Sequence, residues 1–314
     1  MIKHLLFLIT LPFIALGAAL AWPMSNPPPL ASVTDAIRAA PRVAQPEVQA
    51  FAARDGTNLA FRAFPVPEPR AIAVLIHGSA GSSRDMAALG HALAADGVTA
   101  YALDIRGQGQ SGERGDIAYI GQQEDDAADF LAHIANQAPA APRILIGHSS
   151  GGGFALKLAA SPQGAPFART ILVAPYLGHA APTTRPGNGE WARPNIPRIV
   201  ALSILDRAHI TALQGMPVLA FAAGDNENVT RAWSFRMMTG FAAHEDFAAD
   251  IRAARAPLTV IAGADDALMY ADRYAATFHA VNPTITVRVL PNVDHISAIS
   301  APSALAAIVE ATRT

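Results

Sequence analysis

Cysteine is absent from the 314-residue chain, which excludes disulfides, thiolate catalysis, cysteine zinc sites and a bacterial lipoprotein anchor. Lysine is nearly absent: Lys3 and Lys157 stand alone, and arginine supplies the remaining positive charge. Charged residues make up only 15% of the chain and the formal net charge is −2, so no basic field awaits nucleic acid or an anionic surface. There is no H-E-x-x-H and no cluster of acidic ligands, so the sequence indicates no metal. What is abundant is apolar. Hydrophobic residues reach 51%, enough to build a large core in one α/β domain that carries an insertion.

The N-terminus begins with Lys3 and an apolar run from Leu5 to Trp22, broken only by Thr10, Pro12 and Gly17. With the small-x-small stretch Ala19-Leu20-Ala21, residues 1–21 read as a secretory signal cleaved near Trp22 or as an uncleaved anchor, with a buried first helix of the fold as the plain alternative to these two. The second reading attaches the protein to a membrane through residues 5–22. Both predict export, to the periplasmic or extracellular side. Residues 22–47 hold repeated prolines, including Pro27-Pro28-Pro29, and predict an extended linker.

Globular patterning starts near Val48. Val48–Phe51 and Asn58–Phe64, joined across Asp55-Gly56, predict a β-hairpin. Short apolar runs then follow at Ala71–Ile76, Val98–Leu103, Arg143–Ile146, Thr170–Ala174, Leu258–Ile261 and Ile285–Leu290. Between most of them lie Ala-rich segments with helical spacing: Met86–Ala95, Glu124–Gln137, Phe154–Ala160, Tyr270–Val281 and Ser303–Thr312. Continuous apolar strands alternating with helices predict a mostly parallel, doubly wound sheet built from residues 48–176 and 257–314. Residues 177–256 break the alternation. A segment of roughly 80 residues is too long for a simple connection, so it predicts a cap with structure of its own.

Ligands of doubly wound sheets sit beyond the carboxyl ends of the strands, so chemistry is sought in the loops that follow them. Gly147-His148-Ser149-Ser150-Gly151 follows a strand and opens a helix, the setting in which G-x-S-x-G lifts a serine hydroxyl above the sheet. A Gly-rich turn with a capping serine would share the pattern without the chemistry. A serine hydroxyl is a weak nucleophile and needs a base. His295 follows the last predicted strand and is the candidate among ten histidines. His148 is read as packing beneath the elbow, and His77 as holding its own loop.

An acid must orient the imidazole. Asp266 is the candidate and Asp265 the close alternative, because one residue of shift at a strand end reverses the side chain's direction. Asp225 and Glu227, after the run Met216–Ala223, form a second acidic site of similar appearance. A developing oxyanion needs two backbone donors. The N–H of Ser150 is one, and an N–H near Ser79, in His77-Gly78-Ser79-Ala80-Gly81, is the other. Gly107, Gly109 and Gly112 formally complete G-x-G-x-x-G, but a polar loop continues where a nucleotide site requires a helix.

His77-Gly78, Asp104-x-Arg106-Gly107-x-Gly109-x-Ser111, the Ser149 elbow, Gly263-x-x-Asp266 and His295 stand in an order that resembles the monoacylglycerol lipase and lysophospholipase-like α/β hydrolases, grouped with serine aminopeptidases of the S33 kind. The resemblance spans Val48 to Thr314, with the insertion matching only as a cap. It implies the α/β-hydrolase fold and an acyl-enzyme on Ser149. It also favours Asp266 over Asp265, a small-molecule acyl substrate, most simply a carboxylic ester, and no cofactor. Ser150 stands where such enzymes often carry methionine or leucine. An amidase or aminopeptidase would use the same residues, and a non-catalytic binding protein would keep the scaffold alone. Trp191, Phe221, Trp233, Phe235, Met237, Met238 and Phe241 are expected to cover an acyl pocket or to form the cap's own core.

Overall fold

The computed structural model describes residues 2–186, 190–224 and 229–313. Its centre is an eight-stranded sheet of β1 (Val48–Ala52), β2 (Asn58–Phe64), β3 (Ala71–Ile76), β4 (Val98–Leu103), β5 (Arg143–His148), β6 (Phe167–Val173), β10 (Leu258–Gly263) and β11 (Thr286–Leu290). The spatial order is β1-β2-β4-β3-β5-β6-β10-β11. β1 and β2 form the antiparallel hairpin, with Gly56 at φ 81° in the turn, and β2 pairs antiparallel with β4. The strands from β4 to β11 are parallel.

Side chains alternate across a strand, so each face of a buried strand needs its own cover. Ile72, Val74 and Ile76 of β3 enter one apolar cluster, while Ala71, Ala73 and Leu75 enter another. The first face is covered by α4 (Gln122–His133), α5 (Ser150–Ala160) and α9 (Tyr274–His279), which contribute Phe130, Phe154, Tyr274 and Phe278. The second is covered by α3 (Ala87–Ala95) and α10 (Pro302–Ala311), through Leu89, Leu93, Ala304 and Ile308. This is the doubly wound arrangement of the α/β-hydrolase fold. The chain reverses direction across the sheet on either side of β3, and this opens a crevice beyond the ends of β3 and β5.

The insertion has its own three-stranded antiparallel sheet: β7 (Ala192–Pro194), β8 (Pro217–Phe221) and β9 (Ala232–Ser234). It also carries α6 (Ile196–Arg207), α7 (Phe235–Gly240) and α8 (Phe247–Ala253). The cap is tied to the sheet domain by an ion pair, Arg236 Nε to Asp116 Oδ1 at 2.8 Å, and by Ser234 N–H donating to Gly115 O at 2.8 Å. Lys157 of α5 adds a buried tie. Its ammonium donates to Gly240 O of the cap and pairs with Glu124 Oε1 of α4 at 2.7 Å.

The N-terminal segment departs from the expected extended linker. Residues Ala31–Ala39 form helix α2, and α1 (Ile2–Leu20) precedes it. The prolines that suggest a spacer flank a nine-residue stretch free of Pro and Gly, whose Val33 buries in the main core. Leu30 N–H donates to Ala222 O of the cap at 2.8 Å. Arg198 of α6 donates to Leu20 O at 2.9 Å and Trp22 O at 2.6 Å, partnering carbonyls at and just past the end of α1, where no further helical N–H donor is available. Segment 22–39 is therefore packed on the cap. Among the described residues, no helix is long and apolar enough to cross a membrane.

Candidate active site

β5 runs straight into α5, and the residue at the bend is Ser149, with φ 56° and ψ −122°. A non-glycine residue in this region is strained and is held there by its surroundings. Backbone bonds on both sides hold it. Ser149 N–H donates to Val173 O at 2.9 Å, and Ser149 O accepts from Gly152 N at 2.9 Å and Tyr176 N at 2.9 Å. The flanking glycines are required sterically. A Cβ on Gly147 would strike Gly151 O, and one on Gly151 would strike His77 O. The bend leaves the serine hydroxyl above the crevice.

His295 follows β11 and reaches that hydroxyl: Nε2 lies 2.9 Å from Ser149 Oγ. Its other nitrogen, Nδ1, lies 2.7 Å from Asp266 Oδ2, in the loop after β10. An ionised carboxylate can only accept, so Nδ1 carries the hydrogen and Nε2 is left to accept from the serine hydroxyl. Asp266 Oδ1 accepts from Leu268 N at 2.7 Å and Met269 N at 2.8 Å. Burial pushes this carboxyl up, but the His295 charge, the imidazole hydrogen bond and these two N–H groups outweigh it and hold it below the ordinary range. Asp265, one residue earlier, is exposed. Asp225 and Glu227 lie outside the described residues.

The candidate oxyanion donors lie on segments adjacent to Ser149. Ser150 is the first residue of α5, where N–H groups lack intrahelical acceptors. Gly78 approaches so closely that a Cβ there would sit 3.1 Å from Ser149 Cβ. Ser79 follows it, and its N–H donates to no acceptor among the described residues. The loop is braced from below by His77, whose Nδ1 donates to Gly78 O at 2.7 Å and whose Nε2 accepts from Ile105 N at 3.2 Å. His77 is therefore a structural residue in this arrangement.

His148 lies under the elbow, with Nε2 donating to His295 O at 2.9 Å. Burial, followed by the neighbouring His295 charge, lowers its pKa to about 3, so it stays neutral. It braces the backbone of the residue that meets Ser149.

Three contacts could not be read from the sequence. The glycine-containing loop after β4 is an ion-pair knot: Arg106 binds Asp126 at 2.7 Å and Asp55 at 3.0 Å. Asp104 accepts from Ser83 N at 2.6 Å and Gln110 N at 2.8 Å, joining that loop to the chain that leaves the oxyanion loop. The third is a cap contact, Trp191 Nε1 donating to Ser79 Oγ at 2.9 Å. Of the seven apolar cap residues, Phe221, Trp233, Phe235, Met237 and Phe241 are buried, and all but Phe235 join the main core. Ser149, Asp266 and His295 are themselves at most 6% exposed. Among the described residues, no group of three His, Asp or Glu side chains is placed to hold a metal.

Fold and site together are those of an α/β hydrolase. Residues 67–297 match the family described as serine aminopeptidase, S33, and the chain belongs to that family. A monoacylglycerol lipase of Mycolicibacterium smegmatis is 34% identical over 105 residues, which span 33% of this chain and 38% of that protein. The soluble variant of monoglyceride lipase from Saccharomyces cerevisiae, solved with a substrate analogue, superposes with a TM-score of 0.64 at 17% identity, covering 87% of this chain and 95% of that one. The monoacylglycerol lipase of Paleococcus ferrophilus gives a TM-score of 0.60 at 18% identity, over 82% of this chain and 99% of that one.

Proposed function

We propose that this protein is a serine hydrolase that cleaves carboxylic esters, with Ser149 as nucleophile. The observation that carries the reading is the continuous chain from Asp266 through His295 to Ser149, at 2.7 Å and 2.9 Å. His295 Nε2 takes the hydroxyl proton as Ser149 Oγ attacks the acyl carbonyl, and Asp266 stabilises the imidazolium that forms. The carbonyl oxygen becomes an oxyanion held by the N–H groups of Ser79 and Ser150. The intermediate collapses, the C–O bond to the alcohol breaks, and His295 protonates the leaving oxygen. An ester on Ser149 remains. Water then gives a proton to His295 and attacks that ester, and His295 returns the proton to Ser149 Oγ as the acyl–oxygen bond breaks, which releases the acid and the free hydroxyl.

An ester is favoured over an amide by the relatives named as monoacylglycerol lipases and by the apolar residues massed in the cap. The family's description favours the second reading, an amidase or aminopeptidase run by the same residues. Turnover of p-nitrophenyl acyl esters of increasing chain length, set against aminoacyl-p-nitroanilides, separates the two. The ester reading expects kcat/KM to be higher on the esters by orders of magnitude, and equal or greater anilide turnover refutes it. For location, Lys3 and the apolar run after it support export. Sequencing the mature N-terminus tests this: a chain starting near Trp22 means a cleaved signal, one starting at Met1 in the membrane fraction means an anchor, and one starting at Met1 in the cytosol refutes export.

A further inference from the structure

Trp191 stands immediately before β7, where the cap passes over the oxyanion loop, and it is fixed from several sides. Its carbonyl accepts from Ala222 N at 2.8 Å, so its backbone belongs to the edge of the cap sheet. Its ring packs on Phe221 at 5.8 Å between centroids, Phe221 on Trp233 at 4.7 Å, Trp233 on Phe241 at 5.7 Å and Phe241 on Phe154 at 5.3 Å. Phe154 belongs to α5, the helix that starts at the elbow. A row of aromatic rings thus joins Trp191 to the same helix that carries the Ser149 bend.

The indole N–H is the polar end of that row, and it is spent on Ser79 Oγ at 2.9 Å. A partly buried indole N–H needs an acceptor, and packing of this ring alone does not call for a serine hydroxyl. Ser79 in turn sits at a demanding place. Gly78 before it abuts Ser149, and Ala80 after it has φ 61°, in the left-handed region. His77 braces the loop on the Gly78 carbonyl, below. The Trp191 bond holds it from the cap side, at the residue proposed to donate its N–H to the oxyanion.

We propose that Trp191 is a positioning residue through which the cap holds one half of the oxyanion-binding pair. The proposal rests on the ester-hydrolase reading above. The indole N–H locks the Ser79 hydroxyl, and with it the peptide whose N–H meets the oxyanion. Because the oxyanion exists only in the transition state, this restraint acts on kcat and leaves ground-state binding unchanged.

The test uses the full chain and three variants: Trp191→Phe, which keeps the ring and removes the N–H, Ser79→Ala, which removes the acceptor and keeps the backbone donor, and the two combined. Removing an oxyanion donor outright costs about 100- to 1,000-fold in kcat, so loosening one is expected to cost about 10-fold. On p-nitrophenyl butyrate each single variant should lose about 10-fold in kcat with KM within about twofold of wild type and an unchanged Tm, and the double variant should be no slower than either single. A kcat within twofold of wild type for Ser79→Ala, losses that multiply in the double variant, or losses that track a fall in Tm would each overturn the proposal. Ser79→Ala decides the matter alone if Trp191→Phe does not fold. Wild-type protein that neither turns over esters nor reacts with a fluorophosphonate would instead refute the parent reading.

Discussion

Asp266 divides its carboxylate between two tasks. Oδ2 takes the His295 Nδ1 hydrogen at 2.7 Å, while Oδ1 is pinned by the N–H groups of Leu268 and Met269 at 2.7 and 2.8 Å. The backbone bonds fix where the carboxylate points, and the remaining oxygen fixes the imidazole. With the side chain 1% exposed, water does not compete for either oxygen.

Replacing Asp266 by Asn keeps the shape and presents an amide to the imidazole, which then adopts the wrong tautomer. The expected result is a fall in kcat of about 10,000-fold with the fold retained. Asp265→Asn, at an exposed neighbour, should stay within about twofold. Steady-state kinetics on one ester, with a thermal melt of each variant, checks both. An Asp265→Asn variant as damaged as Asp266→Asn would contradict the assignment.

His148 gives a prediction in pH. Its folded pKa lies at about 3 against an ordinary 6.5, so between those values the unfolded chain binds a proton that the folded chain refuses. Stability therefore falls as pH drops below about 6.5, by up to about 1.4 kcal/mol per pH unit for this one group, and the group contributes no slope above it. His148→Gln keeps a donor for His295 O and removes the titration. The Tm gap between wild type and variant, whatever its size at pH 7.5, should shift in the variant's favour at pH 5. A gap that stays constant between those two pH values would show that His148 does not stay neutral in the fold.

How much of this was legible in the sequence follows from where each residue lies. Ser149, Asp266 and His295 each come directly after an apolar strand, and a doubly wound sheet gathers such positions on one edge. Asp266 and Asp265 could not be separated by pattern, because a one-residue change at the strand end turns the side chain around. Helix α2 was hidden by its proline flanks, and its stability comes from Val33 and Leu30 meeting the core and the cap, which local composition does not show. Asp104-x-Arg106-Gly107 could be read as part of a family pattern, but the partners of the Arg106 knot, Asp55 and Asp126, lie far apart in the chain and could not. Trp191 lies in an insertion with no periodic pattern, where nothing in the spacing marks one aromatic as the residue that touches Ser79.

Lys157 and Glu124 form a pair whose side chains are 3% and 13% exposed. Removing one partner strands the other's charge in the interior. Lys157→Met is expected to cost about 3–5 kcal/mol, and adding Glu124→Leu should restore most of it. Chemical denaturation of the wild type, the single and the double variant measures both. A double variant no more stable than the single would show that the cost comes from the lost bond to Gly240 O.

The elbow makes a steric prediction. Gly151→Ala drives a methyl group into His77 O, with Ile76 O at 2.7 Å, so the helix must move away from β3. Loss of both stability and activity is expected. Gly224→Ala, where nothing among the described residues lies within 4 Å, should match wild type. Equal thermal stability for the two variants would mean that the bend is looser than described.

The central claim is that Ser149 is made nucleophilic by His295, and covalent capture reads it directly. Wild-type protein treated with a fluorophosphonate should gain one adduct, located by peptide mass mapping on Ser149, and the reaction should vanish in Ser149→Ala and nearly vanish in His295→Ala. No adduct on folded wild-type protein, or an adduct that persists on another residue in Ser149→Ala, would contradict the account.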